Sequence, residues 1–164
     1  MNLKVKRIKV GFGYDVHQLA EEEEFWLGGI KIEYNKGCVA HSDGDVLIHA
    51  ICDALLGAAN MRDIGYHFPD TSNDFEQIDS KILLKKTVKM IAQKGYSIGN
   101  IDSTIVLQQP KINPLIPEMQ KLLTKVMNIG VEDLSIKATT TERLGFVGTE
   151  DGISAYATVL IIEK

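Results

Sequence analysis

Two stretches of the sequence carry aspartate and histidine at spacings that suit a metal ion. Asp15 and His17 are two residues apart in a segment rich in Val and Gly, so on a β-strand both side chains leave the same face. His49 lies in the Ala- and Leu-rich segment 46–59, whose composition predicts a helix after a polar loop. One carboxylate and two imidazoles form the donor set of a zinc site with one position open for water or substrate. Spacing does not show that strand and helix meet, so a surface Asp-His pair and a satisfied core histidine stay open as alternatives.

The predicted helix also carries two carboxylates. Asp45 and Asp53 lie four residues before and after His49, so all three side chains share one helix face. An uncompensated buried carboxylate is strongly destabilising, so we expect Asp45 and Asp53 to orient the ring of His49 through its second nitrogen. The alternative is an ordinary core histidine between two capping acids.

A second polar run follows a predicted strand near the C-terminus. Thr139, Thr140 and Thr141 offer hydroxyl groups, and Glu142 could hold a hard cation such as Mg²⁺ through one oxygen while phosphates fill its other positions. The same residues are also typical of a strand edge with threonines at pleat positions. On its own the run does not decide between the two interpretations.

The elements that must position these residues alternate between strands and helices. Apolar periodicity and turn residues predict an α/β fold (α+β layers), a mixed β-sheet with helices packed on one face, in a single domain over residues 1–164. Strands are predicted over 3–17, 98–107, 134–140 and 154–162, a hairpin over 25–32, helices over 46–59, 79–95 and 116–127, and a loop over 63–71.

Composition excludes several classes of partner. The net charge is −4, and no Lys and Arg run interleaves with aromatic residues, so the sequence predicts no nucleic-acid partner. It shows no apolar segment of membrane-spanning length and no signal-peptide pattern, which predicts a cytoplasmic protein without membrane association. Cys38 and Cys52 form no C-x-x-C motif and are predicted to be reduced packing residues.

Six motifs together resemble a known enzyme family. From about Val10 to the C-terminus, their order and spacing are similar to those of the 2-C-methyl-D-erythritol 2,4-cyclodiphosphate synthases. The motifs are Gly13-Tyr14-Asp15-Val16-His17, Ala40-His41-Ser42-Asp43-Gly44-Asp45, Asp53-Ala54-Leu55-Leu56-Gly57-Ala58-Ala59, Asp63-Ile64-Gly65, Phe68-Pro69-Asp70-Thr71 and Lys137-Ala138-Thr139-Thr140-Thr141-Glu142.

The resemblance implies a lyase of the non-mevalonate isoprenoid pathway. Such an enzyme cyclises 4-diphosphocytidyl-2-C-methyl-D-erythritol 2-phosphate and releases CMP. It implies Zn²⁺ on Asp15, His17 and His49, one ion per subunit, and Mg²⁺ or Mn²⁺ with the diphosphate at Glu142. His41 and Thr140 match the positions assigned to transition-state stabilisation. It also implies a homotrimer whose sheets face the trimer axis and whose active sites are shared between neighbouring subunits.

The substrate contacts implied by the resemblance come from several segments. In chain order they are Asp15, His17, His41, Ser42, Asp63, Ile64, Gly65, Phe68, Pro69, Asp70, Thr71, Ser72, Leu107, Gln108, Gln109, Pro110, Lys111, Ile112, Asn113, Thr139, Thr140, Thr141, Glu142 and Phe146. The family commonly has an arginine where this chain has Thr149. A threonine cannot make the bidentate charged contact that an arginine makes with a substrate phosphate. Arg143 or Lys137 would therefore have to contact that phosphate instead, or affinity for the substrate would differ.

Two other functions fit the same residues. A metal-dependent phosphodiesterase would hydrolyse a nucleotide diphosphate ester with metal-bound water and yield linear products. A non-catalytic trimeric binding protein would hold a structural metal in a closed shell of four ligands, whereas the sequence offers three.

Overall fold

A five-stranded mixed sheet with helices against one face organises the molecule. The computed structural model describes residues 6–69 and 78–164. The strands are β1 (Ile8–Glu21), β2 (Trp26–Leu27), β3 (Ile30–Lys31), β4 (Lys36–Val39), β5 (Tyr96–Val106), β6 (Leu134–Thr139) and β7 (Gly152–Glu163). The helices are α1 (Val46–Ala58), α2 (Ile64–His67), α3 (Ser80–Gln93), α4 (Ile116–Met127) and α5 (Gly145–Gly148).

The strand order in the large sheet is β4-β1-β7-β5-β6, and β2 and β3 form a separate hairpin. Only the β5–β6 pair of the large sheet is parallel, which confirms the predicted mixed sheet. Strand β4 was missed because its sequence, Lys36-Gly37-Cys38-Val39, lacks a strand pattern. Gly37 is required there because a Cβ would lie 2.1 Å from the carbonyl oxygen of Glu24.

Two glycines of β1 bring helix α1 into direct contact with the sheet. A Cβ on Gly11 would lie 2.0 Å from the carbonyl oxygen of Ala54, and a Cβ on Gly13 would lie 2.0 Å from that of Ala50. Two strand residues span about 6.6 Å and four helix residues about 6 Å, so the two backbones stay in step as they run in opposite directions. The next residue on this face of β1 is Asp15, which therefore meets the first turn of α1.

The other face of β1 is apolar and exposed. Ile8, Val10, Phe12, Tyr14 and Val16 alternate with the inward residues, and their exposed fractions range from 41% to 65%. The ring of Tyr156 on β7 extends this row, 5.0 Å from the ring of Tyr14 between centroids. We call these six residues the outer apolar row. A continuous exposed row of this kind marks an interaction surface.

Helix α1 is the centre of the core. Apart from Asp53 and the exposed Gly57, its side chains are buried, and it packs between the sheet and α3. Cys38 and Cys52 are buried and free, as predicted, and burial raises the pKa of each thiol to about 12. Within the described ranges, the helices are too short or too polar to cross a membrane.

Candidate metal centre and active site

Three side chains converge on one point between β1 and α1. Asp15 Oδ2 lies 3.0 Å from His17 Nε2 and 2.9 Å from His49 Nδ1. The two ring nitrogens are 3.1 Å apart. The ligand atoms of a tetrahedral ion with bonds of about 2.0 Å lie roughly 3.3 Å from one another. The three atoms are therefore already close to the arrangement that one divalent ion requires.

The chemistry of these atoms also fits a cation. A carboxylate oxygen and two imidazole nitrogens present lone pairs at contact distance, so a proton or a metal ion must lie between them. Among the described residues, these three side chains form the one cluster of His, Cys, Asp and Glu with metal-ligand geometry. Two of the three are half-buried and His49 is buried.

The electrostatics of the cluster favour the charged forms of Asp15 and His49. Burial would raise the pKa of the Asp15 carboxyl group, but hydrogen bonds and charge interactions with His17 and His49 outweigh it, and the pKa falls well below its usual value. Burial would lower the pKa of His49, yet its contact with Asp15 raises it. Asp15 is thus held as a carboxylate, the form that binds a metal.

The second ring nitrogen of His49 contacts two serines. Its Nε2 lies 3.0 Å from the hydroxyl oxygen of Ser80 and 3.3 Å from that of Ser42. The hydroxyl group of Ser80 donates in turn to Asp43 Oδ1. The ring is therefore oriented by Ser80 and Ser42, with Asp43 behind Ser80.

The prediction that Asp45 orients His49 is wrong. Asp45 is fully buried and caps α1, accepting a hydrogen bond from the Ile48 N–H at 3.1 Å. Its other oxygen accepts from the Gly29 N–H at 2.6 Å, which ties the β2–β3 turn to the start of the helix. Burial outweighs these bonds and raises the pKa of Asp45.

The corresponding prediction for Asp53 is wrong as well. Its carboxylate accepts from the Ile64 N–H at 2.8 Å and so links α1 to the start of α2. Asp63 caps α2 by accepting from the Tyr66 N–H at 2.8 Å. Both acids therefore stabilise backbone near the site rather than a metal ligand.

A small cleft opens beside Asp15, His17 and His49, the three side chains that we call the metal cluster. It has a volume of about 170 Å³ and is lined by Asp15, His17, Ala40, His41, Ser42, His49, Ile64, Gly65, Phe68, Ile78 and Leu83. A larger cleft of about 540 Å³ adjoins it at Ala40 and Ser42, but its wall includes Glu23, Glu24, Asp43 and Asp79. The smaller cleft has one carboxylate in its wall, that of Asp15, beside two imidazoles that can hold a cation, so it is the better anion site.

The structure thus brings together the metal cluster and part of the predicted substrate segments. His41, Ser42, Ile64, Gly65 and Phe68 line the small cleft. Pro69 is exposed at the end of the first described range, and the predicted contacts Asp70, Thr71 and Ser72 lie outside the described residues.

The polar run at the end of β6, residues 139–142, lies away from the Asp15, His17 and His49 cluster in the sheet. Ala155 of β7 pairs with both Asp15 and Ile105, and Ile105 pairs with Ala138 of β6. Three strand spacings of about 4.8 Å therefore separate β1, which carries Asp15 and His17, from β6, roughly 14 Å in all. Residues 139–142 do not line the small cleft in the described part of the chain.

The bonds of this second segment are local. The hydroxyl group of Thr140 donates to Glu142 Oε1 at 3.0 Å, and Thr141 Oγ1 donates to the carbonyl oxygen of Leu144 at 2.6 Å. Glu142 and Arg143 have φ of 52° and 66°, and the Arg143 N–H donates to Gln108 Oε1 at 3.2 Å. The side chain of Glu142 is exposed.

The remaining predicted contacts divide by exposure. Leu107 and Ile112 belong to the core, so only their backbone can reach a ligand, whereas Lys111 and Asn113 are exposed and Gln109 and Pro110 half-exposed. The ring of Phe146 packs over Gly152, where a Cβ would lie 2.8 Å from the ring and 3.0 Å from the carbonyl oxygen of His17. Phe146 therefore adjoins β1.

The threonine at the family's arginine position has a local role. Thr149 Oγ1 donates to Asp151 Oδ2 at 2.5 Å and lies 3.2 Å from the carbonyl oxygen of Gly145. Lys137 is paired with Asp102 at 2.6 Å, so of the two bases considered for the missing contact, Lys137 is already engaged.

Sequence reasoning missed Asp43 and Ser80 as neighbours of His49. Asp79 and Ser80 are both residue types that cap helices, and the cap of α3 is Asp79, which accepts from the Lys81 N–H at 2.9 Å. The available signal was two adjacent residues that could both cap α3, which leaves one of them free for another bond.

Comparisons with known proteins identify the family of this chain. A family model described as the YgbB family matches residues 8–162. A 2-C-methyl-D-erythritol 2,4-cyclodiphosphate synthase of Bacteroides fragilis is 68% identical over 155 residues, covering 94% of this chain and 98% of that protein.

Two solved structures share the fold. The bifunctional IspDF of Campylobacter jejuni superposes with a TM-score of 0.94 at 36% identity over 98% of this chain, which spans 43% of that longer chain. The CDP complex of IspF from Plasmodium falciparum gives a TM-score of 0.85 at 36% identity, covering 98% of this chain and 99% of the other. This chain therefore belongs to the YgbB family, the family of the 2-C-methyl-D-erythritol 2,4-cyclodiphosphate synthases.

Proposed function

We propose that residues 1–164 form a cyclodiphosphate synthase domain that converts 4-diphosphocytidyl-2-C-methyl-D-erythritol 2-phosphate to 2-C-methyl-D-erythritol 2,4-cyclodiphosphate and CMP. The observation that carries the proposal is the convergence of Asp15, His17 and His49 beside a cleft, in a chain 68% identical to a protein of that name. The reaction serves isoprenoid biosynthesis. Cytoplasmic location stays a prediction from the sequence.

The metal on Asp15, His17 and His49 is Zn²⁺ in this proposal. One carboxylate and two imidazoles are three protein ligands, the number typical of a catalytic zinc site, and this donor set would suit zinc better than Mg²⁺. When bound, the ion supplies Lewis acidity and positive charge to the β-phosphate.

Cyclisation needs no nucleophile from the protein. An oxygen of the 2-phosphate attacks the β-phosphorus, the bond from that phosphorus to the bridging oxygen breaks, and CMP leaves with the oxygen and its electron pair. The chain must hold the two groups in line and neutralise their charge. His41 and Ser42 contact the 2-phosphate side from the cleft, while Ile64, Gly65 and Phe68 form a wall that limits access of water.

The second segment supplies the nucleotide side. Glu142 would hold Mg²⁺ or Mn²⁺ through a carboxylate oxygen, and the ion would supply positive charge to the diphosphate. Thr140 and His41 stabilise the charge that develops in the transition state, and residues 107–113 and Thr139 to Thr141 hold the cytidine diphosphate. Phe146 and the 68–72 segment complete the substrate contacts.

Two observations support a homotrimer with shared active sites. The outer apolar row exposes five large side chains of β1 side by side, and burial against two neighbouring sheets would remove that area from water. The metal cluster and residues 139–142 are about 14 Å apart across the sheet of one chain, so a compact site requires the second segment of a neighbouring subunit. In this arrangement the sheets face the trimer axis.

The test is product analysis by phosphorus NMR. Purified protein with the cytidine diphosphate substrate, Zn²⁺ and Mg²⁺ should release CMP and give the cyclic diphosphate. His49→Ala and Asp15→Asn should abolish release, with thermal unfolding measured on both variants as a check of folding. Linear phosphates without a cyclic product would show a phosphodiesterase, and tight zinc binding without turnover would show a binding protein.

A further inference from the structure

A serine buried behind the metal cluster connects His49 to an aspartate. Ser80, the first residue of α3, has no exposed surface. Its hydroxyl oxygen lies 3.0 Å from His49 Nε2, and its hydroxyl group donates to Asp43 Oδ1. Its backbone N–H donates to Asp43 Oδ2 at 2.8 Å. Asp43 therefore holds Ser80 by two bonds.

These bonds determine which group is the donor in the hydrogen bond between Ser80 and His49. An ionised carboxylate only accepts hydrogen bonds, and a serine hydroxyl group has a single proton. Because that proton is donated to Asp43, the Ser80 oxygen presents a lone pair to the ring of His49. The Nε2 atom of His49 must then carry a proton, whether or not Nδ1 is protonated.

The other ring nitrogen of His49, Nδ1, is the one that belongs to the metal cluster. His49 Nδ1 is the atom 2.9 Å from Asp15 Oδ2 and 3.1 Å from His17 Nε2. With the Nε2 proton donated to Ser80, loss of the other proton leaves a lone pair on Nδ1, directed at the site of the metal ion. A hydrogen bond to the opposite nitrogen also makes an imidazole a better ligand.

The local structure leaves Ser80 free for this contact. Asp79 caps α3 by accepting from the Lys81 N–H, so the Ser80 hydroxyl group is not used as a cap. The Asp43 N–H donates to the carbonyl oxygen of Ile78 at 3.2 Å, which fastens the 41–45 loop to the start of α3. The hydroxyl oxygen of Ser42 lies farther from His49 Nε2, at 3.3 Å, and accepts a hydrogen bond from the Gly44 N–H.

We propose that Ser80, held by Asp43, is a positioning residue that fixes the ring and the tautomer of His49 for metal binding. This inference rests on the metal site of the proposed function. Loss of a hydrogen-bonded partner behind a metal ligand typically lowers metal affinity about 10- to 100-fold, and we expect a loss of that size in Ser80→Ala.

The experiment measures zinc affinity and the ring proton of His49. Wild type, Ser80→Ala, Asp43→Asn and the control Ser97→Ala are compared by competition with a chelating dye. Ser97 is an exposed serine of β5 that donates to the carbonyl oxygen of Ile162, far from the cluster in sequence. In the zinc-loaded proteins, nitrogen-15 NMR of the histidines detects the Nε2 proton of His49 and its exchange with water.

Ser80→Ala should weaken zinc binding about 10- to 100-fold and speed exchange of the Nε2 proton, with unfolding of the metal-free protein little changed. Asp43→Asn should give a smaller change in the same direction, and Ser97→Ala should match wild type. Zinc affinity in Ser80→Ala within twofold of wild type, with a protected Nε2 proton, would overturn the inference alone. Absence of zinc binding in wild type would overturn the proposed metal site as well.

Discussion

The two halves of the proposed site differ in how far one chain completes them. In the metal cluster, residues from β1 and α1 that are distant in sequence meet with their donor atoms 2.9 to 3.1 Å apart. In the 139–142 segment, the side chains bond to residues no more than three positions away. The first half is fixed by packing, and the second presents exposed groups from a turn.

This difference shows what each half requires. The metal cluster depends on the close approach of α1 to β1, so it is a property of the folded chain. Among the described residues, the side chains of the segment with Glu142 show hydrogen bonds only within the turn, and its backbone is joined to Leu107 and Gln108. In the proposed function, a neighbouring subunit and the substrate supply its other contacts.

The largest expected effect comes from separating α1 from β1. In Gly13→Ala the new methyl group would lie 2.0 Å from the carbonyl oxygen of Ala50, so the helix must move. We expect a loss of about 3 kcal/mol in the free energy of unfolding and loss of zinc binding, measured by denaturant unfolding and chelator competition.

The same substitution at another glycine of this region is the control. Gly57 of α1 is exposed, and nothing lies within 4 Å of its added Cβ, so Gly57→Ala should be neutral or stabilising by up to about 1 kcal/mol. Equal destabilisation by both variants would contradict the close-approach explanation.

A charge on the outer apolar row should separate assembly from metal binding. Val10→Glu puts a carboxylate where the proposed trimer excludes water, so we expect monomers by sedimentation and at least about a 100-fold loss of kcat/KM. Zinc affinity of the monomer should stay near wild type because the cluster lies on the other face of β1. Val131→Glu changes a valine that is 50% exposed in a short 3₁₀ helix, and this variant should remain trimeric and active.

The smallest effect is expected within the second half alone. Glu142→Gln should leave folding, assembly and zinc affinity unchanged and lower kcat/KM about 10-fold or more at limiting Mg²⁺, since an amide oxygen is a weaker ligand than a carboxylate. High Mg²⁺ should restore part of the activity. Glu132→Gln, at another exposed glutamate, is the matched control, and zinc binding weakened by Glu142→Gln would contradict the separation of the two halves.

Local patterns in the sequence predicted most of the elements. Helix α4 begins at Ile116 and ends at Met127, as predicted, because Pro117 and the apolar spacing define it. Its C-cap residue is Asn128, in a left-handed conformation with φ of 56°. The expected convergence of Asp15, His17 and His49 is confirmed as geometry, and the close approach that produces it occurs at Gly11 and Gly13 of β1.

What surrounds His49 could not be predicted from helix spacing. A four-residue interval places Asp45 and Asp53 on one face of α1, but the groups opposite them come from elsewhere. The Gly29 N–H reaches Asp45 and the Ile64 N–H reaches Asp53. Ser80 reaches His49 because the 41–45 loop and the start of α3 are bound together, and the two adjacent capping residue types in the sequence do not show which side chain the free one contacts.

Side chains of β1 alternate between its two faces, so the number of residues between Gly11 and His17 cannot change by one without disrupting both faces. Odd-numbered positions there face the helix and even-numbered ones face away, so deleting or inserting one residue would turn the ligand side chains outward and bring aromatic and aliphatic groups against α1. Only changes of two residues preserve both surfaces. In related chains, length variation should therefore be found in the loops at either end of this strand and not within it.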